Sequence, residues 1–260
     1  MKHACVTALA LAIAAPSFAD VTITQTMNGK ALGFSGETSG ATYIKGNKMR
    51  TDAVVGNRTQ TTIFDLDAQK MYVFDSRKKA ADVWDMTAFA AELAKSVDVA
   101  GAKTSFTPNG QTKQIAGLAA TGYDVEVSAQ GSMGGAPGMM MDVTLAGPVW
   151  IVKDAPGAAE YANFYNVAVE KGWIFSDPRA AMAQPGQATA MAEMYRQFAQ
   201  AGGIAYETDV QVKMSGSGPM AAMMARMGGA SFTTVVDAVE TAALADDLFA
   251  PPADYKLEMK

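Results

Sequence analysis

The chain of 260 residues has one cysteine and one histidine. Both, Cys5 and His3, fall in the first 19 residues, which read as a signal peptide. Lys2 and His3 give a short basic start, Val6 to Ala15 an apolar run, and Ser17-Phe18-Ala19 a small-x-small cleavage site before Asp20. Cleavage after Ala19 would leave residues 20–260 without either side chain. A mature chain without Cys or His has no Ser-His-Asp or Cys-His centre, no disulfide framework and no ordinary zinc site. The apolar run is shorter than the roughly 20 residues a bilayer span needs, and no later run is long enough either. The expected compartment is therefore the periplasm, with secretion as the alternative.

Excess positive charge is also missing. The net charge is −5, and loss of Lys2 with the leader makes it −6. Nucleic-acid binding needs clustered Lys and Arg, so it is not expected. The short groups Lys45, Lys48, Arg50 and Arg77, Lys78, Lys79 sit at hairpin turns or strand edges, where charge keeps an edge solvated. No Walker loop or dinucleotide fingerprint is present. Ser76-Arg77-Lys78-Lys79 matches S-x-x-K, but without its S-D-N and K-T-G companions and at a turn, not at a helix start. Asp65 and Asp67 lack the third acid and the glycine of a calcium loop. A carboxylate pair alone suffices for glycoside hydrolysis, yet the acids here fall mostly at turns and caps. No enzyme activity and no cofactor are expected.

What the sequence does have is period-two patterning. Val21, Ile23 and Met27 alternate with threonines, and Ala41–Lys45 and Lys48–Val55 flank the turn pair Gly46-Asn47. Gly56-Asn57 leads into Arg58–Leu66, and Asp67-Ala68-Gln69 into Lys70–Asp75, an antiparallel meander. Further strands are predicted at Lys103–Thr107 and Gln111–Ile115, joined by Pro108-Asn109-Gly110, and at Tyr123–Ser128. Others are expected at Met141–Ala146, Val149–Lys153, Ala205–Met214 and Ser231–Thr241. Four stripes at i, i+3, i+4, i+7 predict helices. They are Met86, Phe89, Ala90, Leu93 with Asp85 as cap; Tyr161, Phe164, Tyr165, Ala168; Met191, Met194, Tyr195, Phe198; and Met220, Met223, Met224, Met227. Gln130–Gly138 and Asp177–Thr189 read as loop insertions. The expected architecture is a single α+β domain over 20–260, β-dominated.

Methionine is in excess, 18 in all, with clusters at Met133 and Met139–Met141 and from Met214 to Met227. Met fills irregular apolar space and lines adaptable surfaces. Its thioether is also soft enough for Cu(I), for which Met139, Met140, Met141, Met220 and Met224 are the candidate ligands.

Two stretches together carry a resemblance. Tyr43–Asp52 leading into Thr62–Asp67 and Lys70–Asp75, with the closing Leu248–Lys256, resembles the DUF4412 group of exported bacterial proteins. That group is similar in turn to the lipoprotein-carrier (LolA/LolB-like) fold. The family ending has glycine where Asp254 stands. The resemblance implies a curved antiparallel sheet, an incomplete barrel, with helices covering its open face and an apolar groove for acyl chains. The partner would be a hydrophobic small molecule or a lipidated protein. On that picture Met220, Met223, Met224 and Met227, with Trp84 and Trp150, line the groove and Arg50 faces an anionic head group. An envelope protein-interaction module is the remaining alternative.

Overall fold

Tight turns set the first half of the fold. In the computed structural model, which describes residues 19–31, 34–55, 58–132, 140–173, 177–216 and 229–260, Gly46 takes φ +55 and closes the hairpin between β2 (Phe34–Lys45) and β3 (Lys48–Val55). β4 (Arg58–Asp65), β5 (Lys70–Asp75) and β6 (Ala80–Asp85) follow in antiparallel pairs, with Gln69 and Lys79 at positive φ just before β5 and β6, and β1 (Val21–Ala31) pairs with β2. The Ser76–Lys79 segment is the β5–β6 turn. Period two then places Val21, Ile44, Met49, Phe64 and Met71 on one face, where all are buried.

The second half comprises β7 (Val97–Ile115), β8 (Leu118–Ser132), β9 (Met140–Val152), β10 (Ile204–Gly216) and β11 (Ala230–Thr241). With the C-terminal β12 (Lys256–Met259) they make one twelve-stranded sheet in the order β12-β6-β5-β4-β3-β2-β1-β11-β10-β9-β8-β7. Every pairing is antiparallel except β12 with β6, which is parallel. β6 and β7 are consecutive in the chain yet ten places apart in the sheet. A flat sheet would separate them by about 48 Å at the ordinary strand spacing. Residues 86–96, nine of them helical, reach only about 20 Å. The sheet must therefore curl, and it does so without closing.

Two expectations about β7 and β9 are corrected. Pro108-Asn109-Gly110 is not a hairpin turn but a bulge inside β7, between the pairs Pro108–Tyr123 and Thr112–Thr121. Gly110 takes φ +77, Asn109 Oδ1 accepts from Gln111 N at 3.0 Å, and Asn109 Nδ2 donates to Asp124 at 3.2 Å, so the chain is satisfied and the strand continues. The reversal comes at Ala116-Gly117, both at positive φ. β9 likewise runs through Gly147-Pro148 as a single strand.

The helices are α1 (Met86–Ala94), α2 (Ala158–Glu170), α3 (Pro178–Ala183) and α4 (Pro185–Ala201). Asp85 caps α1, accepting from Ala88 N at 2.9 Å. Asp177–Thr189 is not a loop: Asp177 caps α3, and Pro185 opens α4 at a first-turn position that needs no donor. Of the insertion expected at 130–138, residues up to Ser132 belong to β8 and 133–139 lie outside the described residues. The helix expected at Met220–Met227 lies outside them too. Met194 and Phe198 of α4 pack into a core with Val127, Leu145 and Val210, while α2 brings Tyr161 and Phe164 to a second core with Ile23, Met49 and Phe64.

Candidate functional site

An apolar groove of about 590 Å³ opens between α1, α2, α4 and β7. Its walls are Ala90, Leu93 and Ala94 of α1, Val169 and Trp173 at the end of α2, and Ala192 of α4. Small residues make the space: Ala192 and Thr189 face the gap where Met191, Met194 and Phe198 of the same helix pack against the sheet. Trp173 is buried, and its Nε1 donates to Thr87 Oγ1 of α1 at 3.1 Å, fixing α1 against the end of α2.

One polar group interrupts this lining. Glu193 receives Arg196 Nε at 2.6 Å, Arg196 Nη2, and Gln197 Nε2 at 2.8 Å. Burial would push the Glu193 carboxyl up, but hydrogen bonds from Arg196, Gln197 and Thr104 outweigh it and hold the group below its ordinary range. The Glu193 hydrogen bond holds Arg196 charged. The groove thus offers hydrocarbon walls with a charged pair among them, one turn apart on α4.

Beside the groove runs an aromatic chain. Tyr161 and Tyr165 stand 4.7 Å apart, Tyr165 and Tyr195 5.7 Å, Tyr195 and Phe198 5.9 Å, and Phe106 stacks on Tyr123 at 4.6 Å. These rings join α2 to α4 and reach β7 and β8. Only a space of about 60 Å³ is left between them and β1, β2, β10 and β11.

Of the residues singled out in the sequence, Trp84, Trp150 and Arg50 are not among those that line this groove. Trp84 lies on β6, edge-on to Phe89 of α1 at 6.0 Å, with its Nε1 buried and unpaired among the described residues. Alternation puts Trp150 on the opposite face of β9 from Val149 and Ile151. There Lys113 Nζ sits 4.3 Å from the ring centre and pairs with Glu207. Arg50 holds Asp52 at 3.0 Å and donates to the Leu248 carbonyl at 3.2 Å, so it ties the C-terminal segment to β3. Met139, Met220, Met223, Met224 and Met227 lie outside the described residues. Met140 and Met141 begin β9, and their side chains are outside that description as well. Sequence reasoning missed Glu193, Arg196 and Thr104. The available signal was the spacing Thr189, Ala192, Glu193, Arg196, a second face of α4 beside its apolar stripe.

Among the described residues no group of three or more His, Cys, Asp or Glu is placed to hold a metal ion. No helix among them is long and apolar enough to cross a membrane.

The architecture is thus β-dominated, with one large curved, unclosed and almost wholly antiparallel sheet and a few helices. No family model and no curated protein matches the chain. Among solved structures it is similar to PNGF-II, at 12% identity and a TM-score of 0.35. That match covers 92% of this chain but 31% of the other, so the chain spans about a third of that protein's length. A LolA superfamily protein from Nitrosomonas europaea matches at 7% identity and TM-score 0.31, covering 90% of this chain and 91% of that one. A DUF1329 family protein from Desulfovibrio piger matches at 9% and 0.24, covering 90% of each. At these scores neither a fold family nor an activity transfers to this chain.

Proposed function

We propose that the protein is an exported, non-enzymatic binder of a hydrophobic ligand, a lipid or the acyl chain of a lipidated partner, acting as a single domain of residues 20–260. The groove between α1, α2, α4 and β7 carries this reading. It has the size of small-molecule sites and apolar walls, with one charged pair to orient a polar end. The binding energy would come from apolar area removed from water, about 25 cal/mol per Å², less the cost of ordering the ligand.

The test is titration of the mature chain with a palmitate bearing an environment-sensitive fluorophore, together with native mass spectrometry of detergent-free protein. Ala192→Trp and Ala94→Trp, which place bulk in the groove, should each weaken probe binding at least about tenfold while Tm shifts by only a few degrees. Probe binding unchanged in both variants, or no saturable binding by the parent chain, sinks the proposal.

A second reading, Cu(I) binding by thioethers, has one backbone fact in its favour. The β9–β10 register pairs Met141 with Gly216 and Val143 with Met214, so both methionine-rich segments adjoin neighbouring strands at one end of the sheet. Copper increments in the native mass that vanish when Met139, Met140 and Met141 become Leu would favour it over the lipid reading.

A further inference from the structure

The chain has only six arginines, and four of them line one recess. Arg50 comes from β3, Arg58 from the start of β4, Arg77 from the β5–β6 turn and Arg179 from α3, around a space of about 1160 Å³. None of the residues lining the apolar groove is shared with it. In a protein of net charge −5 this concentration of one residue type is a tertiary feature, assembled from positions as far apart as 50 and 179.

The carboxylates around the recess are largely committed. Asp52 takes Arg50 Nε at 3.0 Å and Thr61 Oγ1 at 2.6 Å. Asp177 takes Arg179 at 3.0 and 3.1 Å and Gln60 at 2.6 Å. Asp75, which lines the space, accepts the backbone N–H groups of Arg77 and Lys78 and pairs with Lys78 at 3.5 Å. Asp82 takes Lys260 at 3.2 Å and stands 4.0 Å from Arg179. The guanidinium groups of Arg58 and Arg77 have no partner among the described residues, and both residues are exposed. Two planar cations are thus free to turn inward beside two more held in fixed orientation by their acids.

Planar guanidinium forks match the oxygens of phosphate two at a time, whereas scattered lysines act only as point charges. We propose that this recess is an anion site for a phosphate-bearing ligand, either a free phosphate ester or the head group of an anionic phospholipid. Arg58 and Arg77 are the residues that close on the phosphate, and Arg50 and Arg179 supply the pre-oriented field.

Isothermal titration of the mature chain with inorganic pyrophosphate tests the site, with Arg58→Gln/Arg77→Gln as the variant and Lys153→Gln, exposed after β9, as the control. The parent should bind saturably and lose affinity as salt rises. The double variant should bind at least about tenfold more weakly with unchanged Tm, Lys153→Gln should bind as the parent does, and Arg58→Lys/Arg77→Lys should fall between. Flotation with phosphatidylglycerol vesicles, against phosphatidylcholine vesicles, then separates the two sources. Vesicle binding competed by pyrophosphate assigns the head group; pyrophosphate binding without flotation assigns a soluble ester. Equal affinity in parent and double variant, equal loss in the Lys153 control, or no saturable binding of either probe overturns the proposal.

Discussion

Gly147 lies in β9 where the β10 backbone comes closest: a Cβ there would stand 1.9 Å from the Asp209 carbonyl oxygen and 3.0 Å from its carbon. Both obstacles are main chain in a paired strand, so neither can swing aside. Gly147→Ala should therefore destabilise by more than about 3 kcal/mol, read as a loss of denaturation midpoint, because the ladder on either side must open. Wild-type stability in that variant would refute the close approach. Pro148 beside it has no N–H to leave unpaired. Together the two explain why a dipeptide that reads as a turn passes through a strand: the ladder resumes with Ala146–Gln211 and Val149–Thr208 in one register. Trp84 shows the opposite case, a buried donor without a partner among the described residues.

At the scale of elements, the contact between α2 and α4 is made by tyrosines whose hydroxyls burial holds protonated. Burial pushes Tyr161, Tyr165 and Tyr195 above the ordinary phenol value, and Tyr161 and Tyr165 are hydrogen-bonded to each other. The native state keeps these protons to higher pH than the unfolded chain, which releases them near pH 10. Above that pH the unfolded state binds fewer protons, so stability is full below about pH 10 and falls as pH rises toward the native values. Chemical denaturation between pH 8 and 11 should show this decline, and Tyr165→Phe should flatten it. A slope indifferent to Tyr165→Phe would mean these rings do not govern alkaline unfolding. The mirror case is Glu193, whose lowered pKa adds stability that is lost as pH falls through the carboxylate range.

Across the whole molecule, the last residues act as an edge guard. After β11 the chain passes the end of β2, where Lys45 holds the Leu244 carbonyl at 2.5 Å and Asp246 at 2.8 Å, and then β3, where Arg50 holds the Leu248 carbonyl. Phe249 is buried, and Tyr255 packs on Phe74 at 5.7 Å. β12 then pairs with β6, with Lys256 N donating to Lys79 O at 2.8 Å and Lys260 N to Val83 O at 3.0 Å. Without it β6 would offer an unpaired edge carrying buried Ala81 and Val83. Removal of residues 256–260 should convert the protein to dimers or larger species, measured by light scattering after size exclusion. Truncated protein with the mass of the full chain would show that β12 is dispensable as a guard.

How much of this was legible in the sequence follows from the range of each interaction. The meander from β1 to β5 and the caps of α1 depend on alternation, Gly46-Asn47 and Asp85, all within a few residues, so they could be read directly. The bulge at Pro108–Gly110 could not, because the Asp124 that holds Asn109 lies on the next strand. Nor could the order of the sheet, which places β11 beside β1 and β12 beside β6 through pairings across the chain's length. The groove was half legible: Ala90 and Leu93 stood out on the α1 stripe, but nothing local says that α1, α2 and α4 leave a gap between them. Of the four-arginine recess only Arg50 was singled out, for an anionic head group; that Arg58, Arg77 and Arg179 share its space could not be read, since they come from separate elements. By itself the sequence determined most of the strands, the helix stripes of α1, α2 and α4, and the confinement of its single His and Cys to the first 19 residues. The tertiary structure alone decided which side chains share a space, because proximity between distant residues comes from sheet curvature and helix packing rather than from spacing along the chain.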